Sequence, residues 1–248
     1  MRTMILAAGR GERMRPLSDG TPKPLLSAGG KPLIVWQLER LSAAGFRHVI
    51  INVSHLGDQI QGALGNGDAW NLKIVYSPEP PGALETAGGI ARVLPLLGEQ
   101  PFLVINGDIF CDWDPAQAFT LPLQDNLAHL LLVDNPAHHP QGDFSLDKNG
   151  KVGNAASDRL TFSGIGLYVP QLFARLDPNR SAKLAPLLRQ AAAAGHVSGE
   201  RYDGQWLDVG TPERLYALDR ALTKTSDRTA ESQSPPDARR EDFHSPDP

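Results

Sequence analysis

The chain is expected to fold as an α/β single domain whose sheet is mostly parallel and flanked by helices, and three observations predict this. Short apolar runs bounded by turn residues recur along it, at residues 4–8, 48–53, 101–105 and 128–133. Such runs read as strands buried on both faces, which a parallel sheet covered by helices requires. Segments of helical period alternate with them, at residues 33–44, 55–64 and 85–97. Strand and helix in alternation give right-handed crossovers and put ligands outside the carboxyl ends of the strands. The third observation is size, since 248 residues with 41% hydrophobic content suffice for one large core.

Composition narrows the function. The net charge of −4 is mild and both signs are spread along the chain, whereas a nucleic-acid surface shows a basic stripe. Cys111 is the single cysteine, which rules out an internal disulfide or a cysteine-based metal cluster. The N-terminal apolar run is too short for a signal-peptide core or a membrane span. The expectation is a cytoplasmic protein that binds neither nucleic acid nor membrane, and a monomer or weak homo-oligomer.

The first strand breaks into Gly9-Arg10-Gly11-Glu12-Arg13. Two glycines one residue apart let the backbone turn tightly and present N–H groups to an anion. Arg13, Arg15 and Lys23 lie in the same stretch, so both donor types needed by a triphosphate are together; Arg15 serves equally well as a structural ion-pair partner. Gly29-Gly30-Lys31-Pro32 is a turn whose proline opens the helix at 33–44, ended by Gly45. The strand at 48–53 and the helix at 55–64 follow, then a strand at 73–77 closed by Pro78, Pro80 and Pro81. Leu84-Glu85-Thr86-Ala87-Gly88-Gly89-Ile90 leads into the next helix, either as a threonine-capped start or as a glycine-eased approach to a flat ligand edge.

The most apolar strand, 101–105, runs into Asn106-Gly107-Asp108. A carboxylate there can be a turn former, or can hold Mg²⁺, which takes one or two carboxylates together with water and phosphate oxygens. The strand at 128–133 leads to a loop holding His138 and His139. Adjacent residues in a loop point apart and no third ligand has suitable spacing, which argues against zinc. Lys148-Asn149-Gly150 reads as a hairpin tip, residues 161–168 and 197–202 as strands, and 184–194 as a helix. Trp206-Leu207-Asp208-Val209-Gly210-Thr211-Pro212 introduces a helix over 212–222. Residues 1–223 would form the domain, and 224–248, rich in Ser, Pro and charge, is expected to be a disordered tail. There is no internal repeat.

The run Leu6-Ala7-Ala8-Gly9-Arg10-Gly11-Glu12-Arg13-Met14-Arg15-Pro16-Leu17, followed by Pro22-Lys23-Pro24, resembles the signature of the sugar-1-phosphate nucleotidyltransferases, and matching order continues over about residues 1–222. The resemblance implies a Rossmann-like, glycosyltransferase-A-like sheet, with UTP and a sugar 1-phosphate as substrates and Mg²⁺ as cofactor. It implies that Arg13, Lys23 and Asp108 are catalytic, and that Ala8, Gly9, Gly11, Glu12, Arg13 and Lys23 hold the nucleotide phosphates. By the same likeness, Glu85, Thr86 and Gly88 lie against the base, Asn106 and Asp143 meet the sugar phosphate, and Asp108 and Asp208 hold the metal. Glu12 stands where many members carry Thr, no E-K-P tripeptide is present, and Ser163 replaces the usual Asn. These departures, with residues 136–144, 160–165 and 183–189, resemble the branch that takes N-acetylmuramate 1-phosphate and yields UDP-N-acetylmuramate in cell-wall sugar recycling. The lactyl carboxylate of that sugar calls for a cation or donor, with His138, His139 and Lys183 as candidates. The alternatives are a mannose- or glucose-1-phosphate enzyme and a catalytically silent nucleotide-sugar sensor. A dehydrogenase fails on spacing, because Met14 stands where G-x-G-x-x-G needs its third glycine.

Overall fold

A computed structural model describes residues 1–80, 84–121 and 123–232, with side chains up to residue 224. Thr3–Leu6 (β1) opens the chain with a run that has no charge to solvate. Ser27–Ala28 (β2) and Lys31–Pro32 (β3) form a small hairpin before the helix Leu33–Ala43 (α1). Strand and helix then alternate through His48–Val53 (β4), Gly57–Leu64 (α2), Lys73–Pro78 (β5), Glu85–Leu97 (α3) and Phe102–Asn106 (β6). These build the parallel centre of a nine-stranded sheet, in the order β6-β1-β4-β5.

The rest of the chain extends the sheet the other way. Its elements are Ile109–Cys111 (β7), Ala128–Val133 (β8), Phe144–Leu146 (β9), Val152–Gly153 (β10), Arg159–Tyr168 (β11), Leu184–Ala193 (α4), Val197–Arg201 (β12), Trp206–Asp208 (β13) and Pro212–Ser232 (α5). β11 runs antiparallel to β6, β8 and β9, and only β12, reached through α4, lies parallel to its neighbour β8. The physical reason is the kind of connection: β8, β9, β10 and β11 follow one another with no helix to carry a crossover between them, which leaves antiparallel pairing.

Alternation along the strands divides the core in two. Ile5, Ile51 and Ile105 face α1 and α2, where Ile34, Leu38, Leu41, Ile60 and Leu64 are buried. Met4, Ile50 and Val104 face α3 and α4, against Ile90, Val93, Leu184 and Leu188. A third, smaller core joins the opening loop to the end of the chain through Met14, Leu26, Leu33, Phe110, Val209, Leu215 and Leu218.

Several boundaries shift from the sequence reading. α2 begins at Gly57 because Leu56 adopts a left-handed conformation and the Gly57 N–H closes a turn on Ser54 at 3.0 Å. β7 and β13, three residues each, were not expected as a pair, yet they form a separate two-stranded ladder. α5 is continuous to Ser232 rather than ending at residue 222. The rest of the expected tail, 233–248, and Pro81 lie outside the described residues. No helix among the described residues is long and apolar enough to cross a membrane.

Candidate active site

The sheet ends in a polar row on its carboxyl edge. In register, Leu6 stands between Asn52 and Asn106, and Asn52 stands opposite Ser77. The glycine loop departs from the centre of this row. Gly11 sits at φ 65°, and a Cβ there would press on Lys23 and Ser18 at 3.2 and 3.3 Å, so only glycine fits. The Gly11 carbonyl accepts from the Ser18 hydroxyl and from the Met14 N–H, both at 2.8 Å. Met14, fully buried in the third core, plugs the single helical turn Glu12–Met14 into the protein and leaves Glu12 and Arg13 facing out.

Lys23 begins a second such turn and is only 8% exposed. Its ammonium donates to Asp108 Oδ2 at 2.6 Å, a charge-assisted bond in which each group offsets the other's desolvation. Asp108 follows Gly107, whose N–H donates to Leu6 O at 2.8 Å and where a Cβ would collide with that oxygen at 2.5 Å. Asp208 reaches the same place through the β7–β13 ladder. It stands opposite Ile109, and the Val209 N–H donates to Asp108 O at 2.9 Å. Asp208 Oδ2 accepts from Arg214 at 2.7 Å and lies 3.3 Å from His138 Nε2.

The two aspartates fit a hard divalent cation: both donate through oxygen, and two carboxylates are what such an ion takes when substrate phosphates complete its shell. Among the described residues there is no group of three or more His, Cys, Asp and Glu able to hold a metal alone, in keeping with a site completed by substrate. The histidine pair divides as expected of loop neighbours, His138 toward Asp208 and His139 toward Asp143 at 3.2 Å.

A cavity of about 530 Å³ opens over the polar row, with space for a nucleotide. Of the residues expected to bind nucleotide or sugar phosphate, Ala8, Gly9, Gly11, Glu12, Arg13, Lys23, Glu85, Thr86, Asn106 and Asp108 all line it. Two do not. Gly88 is buried in α3; its N–H donates to Ala182 O at 3.1 Å, and a Cβ would meet Arg180 O at 2.5 Å. Its lack of a side chain therefore serves the packing of the 180–182 segment, not approach to a base. Asp143 holds the local backbone, accepting from the Phe162 N–H at 2.9 Å and facing His139. Arg15 pairs with Asp19 at 3.2 Å, the structural alternative, and Lys183 caps α4 on the surface.

Asn52 and Glu79 also line the cavity, and sequence reasoning passed over both. Asn52 Oδ1 accepts from the Ala7 N–H at 2.8 Å, its Nδ2 donates to Glu79 Oε1 at 2.7 Å, and Glu79 Oε2 accepts from the Leu84 N–H at 3.0 Å. This buried chain ties the start of the glycine loop to the start of α3. The available signal was a strand of apolar residues ending in Asn, and a glutamate between two prolines. Cys111 takes no part: burial pushes its thiol up to about 11, against a smaller opposing effect of the Trp113 N–H.

Residues 2–225 match the family model described as Nucleotidyl transferase. The chain is 55% identical over 221 residues to the N-acetylmuramate alpha-1-phosphate uridylyltransferase of Neisseria meningitidis serogroup B, covering 87% of this chain and 95% of that one. It is 34% identical to the enzyme of the same name from Caulobacter vibrioides, covering 89% and 96%. In fold it is similar to a Bacillus anthracis protein assigned as a glucose-1-phosphate thymidylyltransferase and crystallised with sucrose, at a TM-score of 0.78 and 21% identity over 90% of this chain and 95% of that one.

Proposed function

The chain belongs to the nucleotidyl transferase family, and from that premise we propose that it transfers UMP from UTP to N-acetylmuramate α-1-phosphate, giving UDP-N-acetylmuramate and pyrophosphate. The observation that carries the reading is the Lys23–Asp108 pair in a cavity walled by the glycine loop, with Asp208 on the neighbouring strand opposite Ile109. The choice of sugar and base is supported by the likeness to the Neisseria and Caulobacter enzymes.

A phosphate oxygen of the sugar 1-phosphate attacks the α-phosphorus of UTP. The new P–O bond forms as the bond to the β-phosphate bridging oxygen breaks, and pyrophosphate leaves with that electron pair. The nucleophile is already an anion at neutral pH, so no Ser, Cys or His nucleophile is needed. Catalysis is then orientation and charge neutralisation. The N–H groups around Gly11 and the Arg13 guanidinium hold the outer phosphates, and Lys23 neutralises charge near the α-phosphate. Asp108 and Asp208 would hold Mg²⁺, which when bound neutralises the phosphates and orients them. Glu79 offers the base a carboxylate, an acceptor that suits the N3–H of uracil and repels the N3 lone pair of cytosine.

The test is pyrophosphate release with UTP and Mg²⁺, comparing the 1-phosphates of N-acetylmuramate, N-acetylglucosamine, glucose and mannose. N-acetylmuramate 1-phosphate should give the highest kcat/KM. Equal or better turnover of a neutral sugar overturns the sugar assignment, and no release with any of them overturns the reaction.

A further inference from the structure

Gln37 lies on the inward side of α1, among Ile34, Leu38 and Leu41, and is 7% exposed. A polar side chain in that row carries a desolvation cost unless its bonds are made. Its amide donates twice, to Asn106 O at 2.8 Å and to Ile109 O at 3.2 Å. Those two carbonyls flank the Asn106-Gly107-Asp108-Ile109 turn, so one NH₂ group spans the segment that bears Asp108. The other half of the amide is not satisfied by protein: Gln37 Oε1 is buried without a partner, as is Trp113 Nε1. Both residues line a cavity of about 20 Å³, the room of a single water. The donor side alone thus accounts for a buried glutamine here.

The turn is otherwise held by separate ladders at its two ends, Asn106 opposite Leu6 and Ile109 opposite Asp208, and by two single bonds, Gly107 N–H to Leu6 O and Val209 N–H to Asp108 O. Neither bond restrains both of its ends. We propose that Gln37 is a positioning residue for the reaction: by bridging Asn106 O and Ile109 O from beneath, it fixes the turn that presents Asp108 to the metal and to Lys23. The proposal rests on the functional reading above for the role of Asp108, but its structural consequence is measurable without turnover.

Three variants of the full chain test it. Gln37→Met keeps length and bulk but has no donor, Gln37→Leu lacks the donor in a branched apolar side chain, and Leu38→Ala destabilises the same helix without touching the turn. Both Gln37 variants should raise the Mg²⁺ concentration for half-maximal pyrophosphate release by about tenfold and lower kcat by about tenfold, with KM for UTP within about threefold of the parent. Hydrogen exchange, followed in the protein without substrate, should quicken by about tenfold or more at the Gly107 and Val209 amides in Gln37→Met. Leu38→Ala should lower Tm while leaving the Mg²⁺ requirement at the parent's value. Parental exchange at Gly107 and Val209 in Gln37→Met overturns the proposal, as does an equal change of Mg²⁺ requirement in Leu38→Ala. A parent without pyrophosphate release overturns the functional reading, and the exchange comparison still decides the role of Gln37.

Discussion

Lys23 and Asp108 neutralise one another at 2.6 Å, and the lysine is almost fully buried. Removing one partner leaves the other charge poorly compensated and takes away a group that the proposed reaction uses on the phosphates. Lys23→Ala and Asp108→Ala should each lower kcat/KM by about 10²–10³-fold, with circular dichroism unchanged. Glu79 offers a different test at the same scale. Its carboxylate only accepts, whereas an amide can also donate, so Glu79→Gln should reduce the preference for UTP over CTP by about 10–10²-fold, read from kcat/KM for each nucleotide. These residues were unequally legible. Lys23, Arg13 and Asp108 carry chemistry in their side-chain type and stand in a fixed order. Asn52 and Glu79 acquire meaning only from register, which puts Asn52 beside Leu6 and Glu79 just beyond β5. Gly88 misled because a glycine justified by a close approach does not say what approaches; here it is the Arg180 carbonyl.

At the scale of elements, α5 secures the glycine loop from behind. Leu215 and Leu218 share the third core with Met14, which anchors the Glu12–Met14 turn. Leu218→Ala should cost about 2–5 kcal/mol of stability in chemical denaturation and raise KM for UTP, because the loop loses part of its backing. Among the described side chains Leu222 is the last of α5 to pack against that core, and deleting the chain after Thr225 should leave pyrophosphate release unchanged. Long elements with strong periodicity were readable: α1, β4, β8 and α4 stand within two residues of their expected bounds. The β7–β13 ladder was not. Three-residue strands have no period to detect, and their pairing is fixed by the packing of Phe110, Val209 and Leu215 around them.

For the whole molecule, pH dependence follows from His129. Burial lowers its pKa below 6.5, outweighing the opposing effect of Glu200, and its Nε2 is buried without a partner. The neutral ring is favoured in the folded state, so the unfolded chain binds the extra proton. The contribution is fully present above pH 6.5 and is lost as pH falls through the lowered folded value. Tm should therefore decline between neutral pH and about pH 5, and His129→Gln should flatten that decline. Asp147 and Glu213, both lowered by hydrogen bonds to their carboxylates, act in the same direction but only below their usual values of 3.8 and 4.5.

The ladder that brings Asp208 beside Asp108 also sets an order of events during synthesis. β13 and α5 leave the ribosome after β1, β4 and β6, which can already pair by then. A nascent chain thus has its glycine loop before it has Asp208 or the apolar backing that Val209, Leu215 and Leu218 give that loop. The pairing that sets Asp208 next to Asp108 joins segments far apart in sequence, a long-range kind of contact that is slow to form.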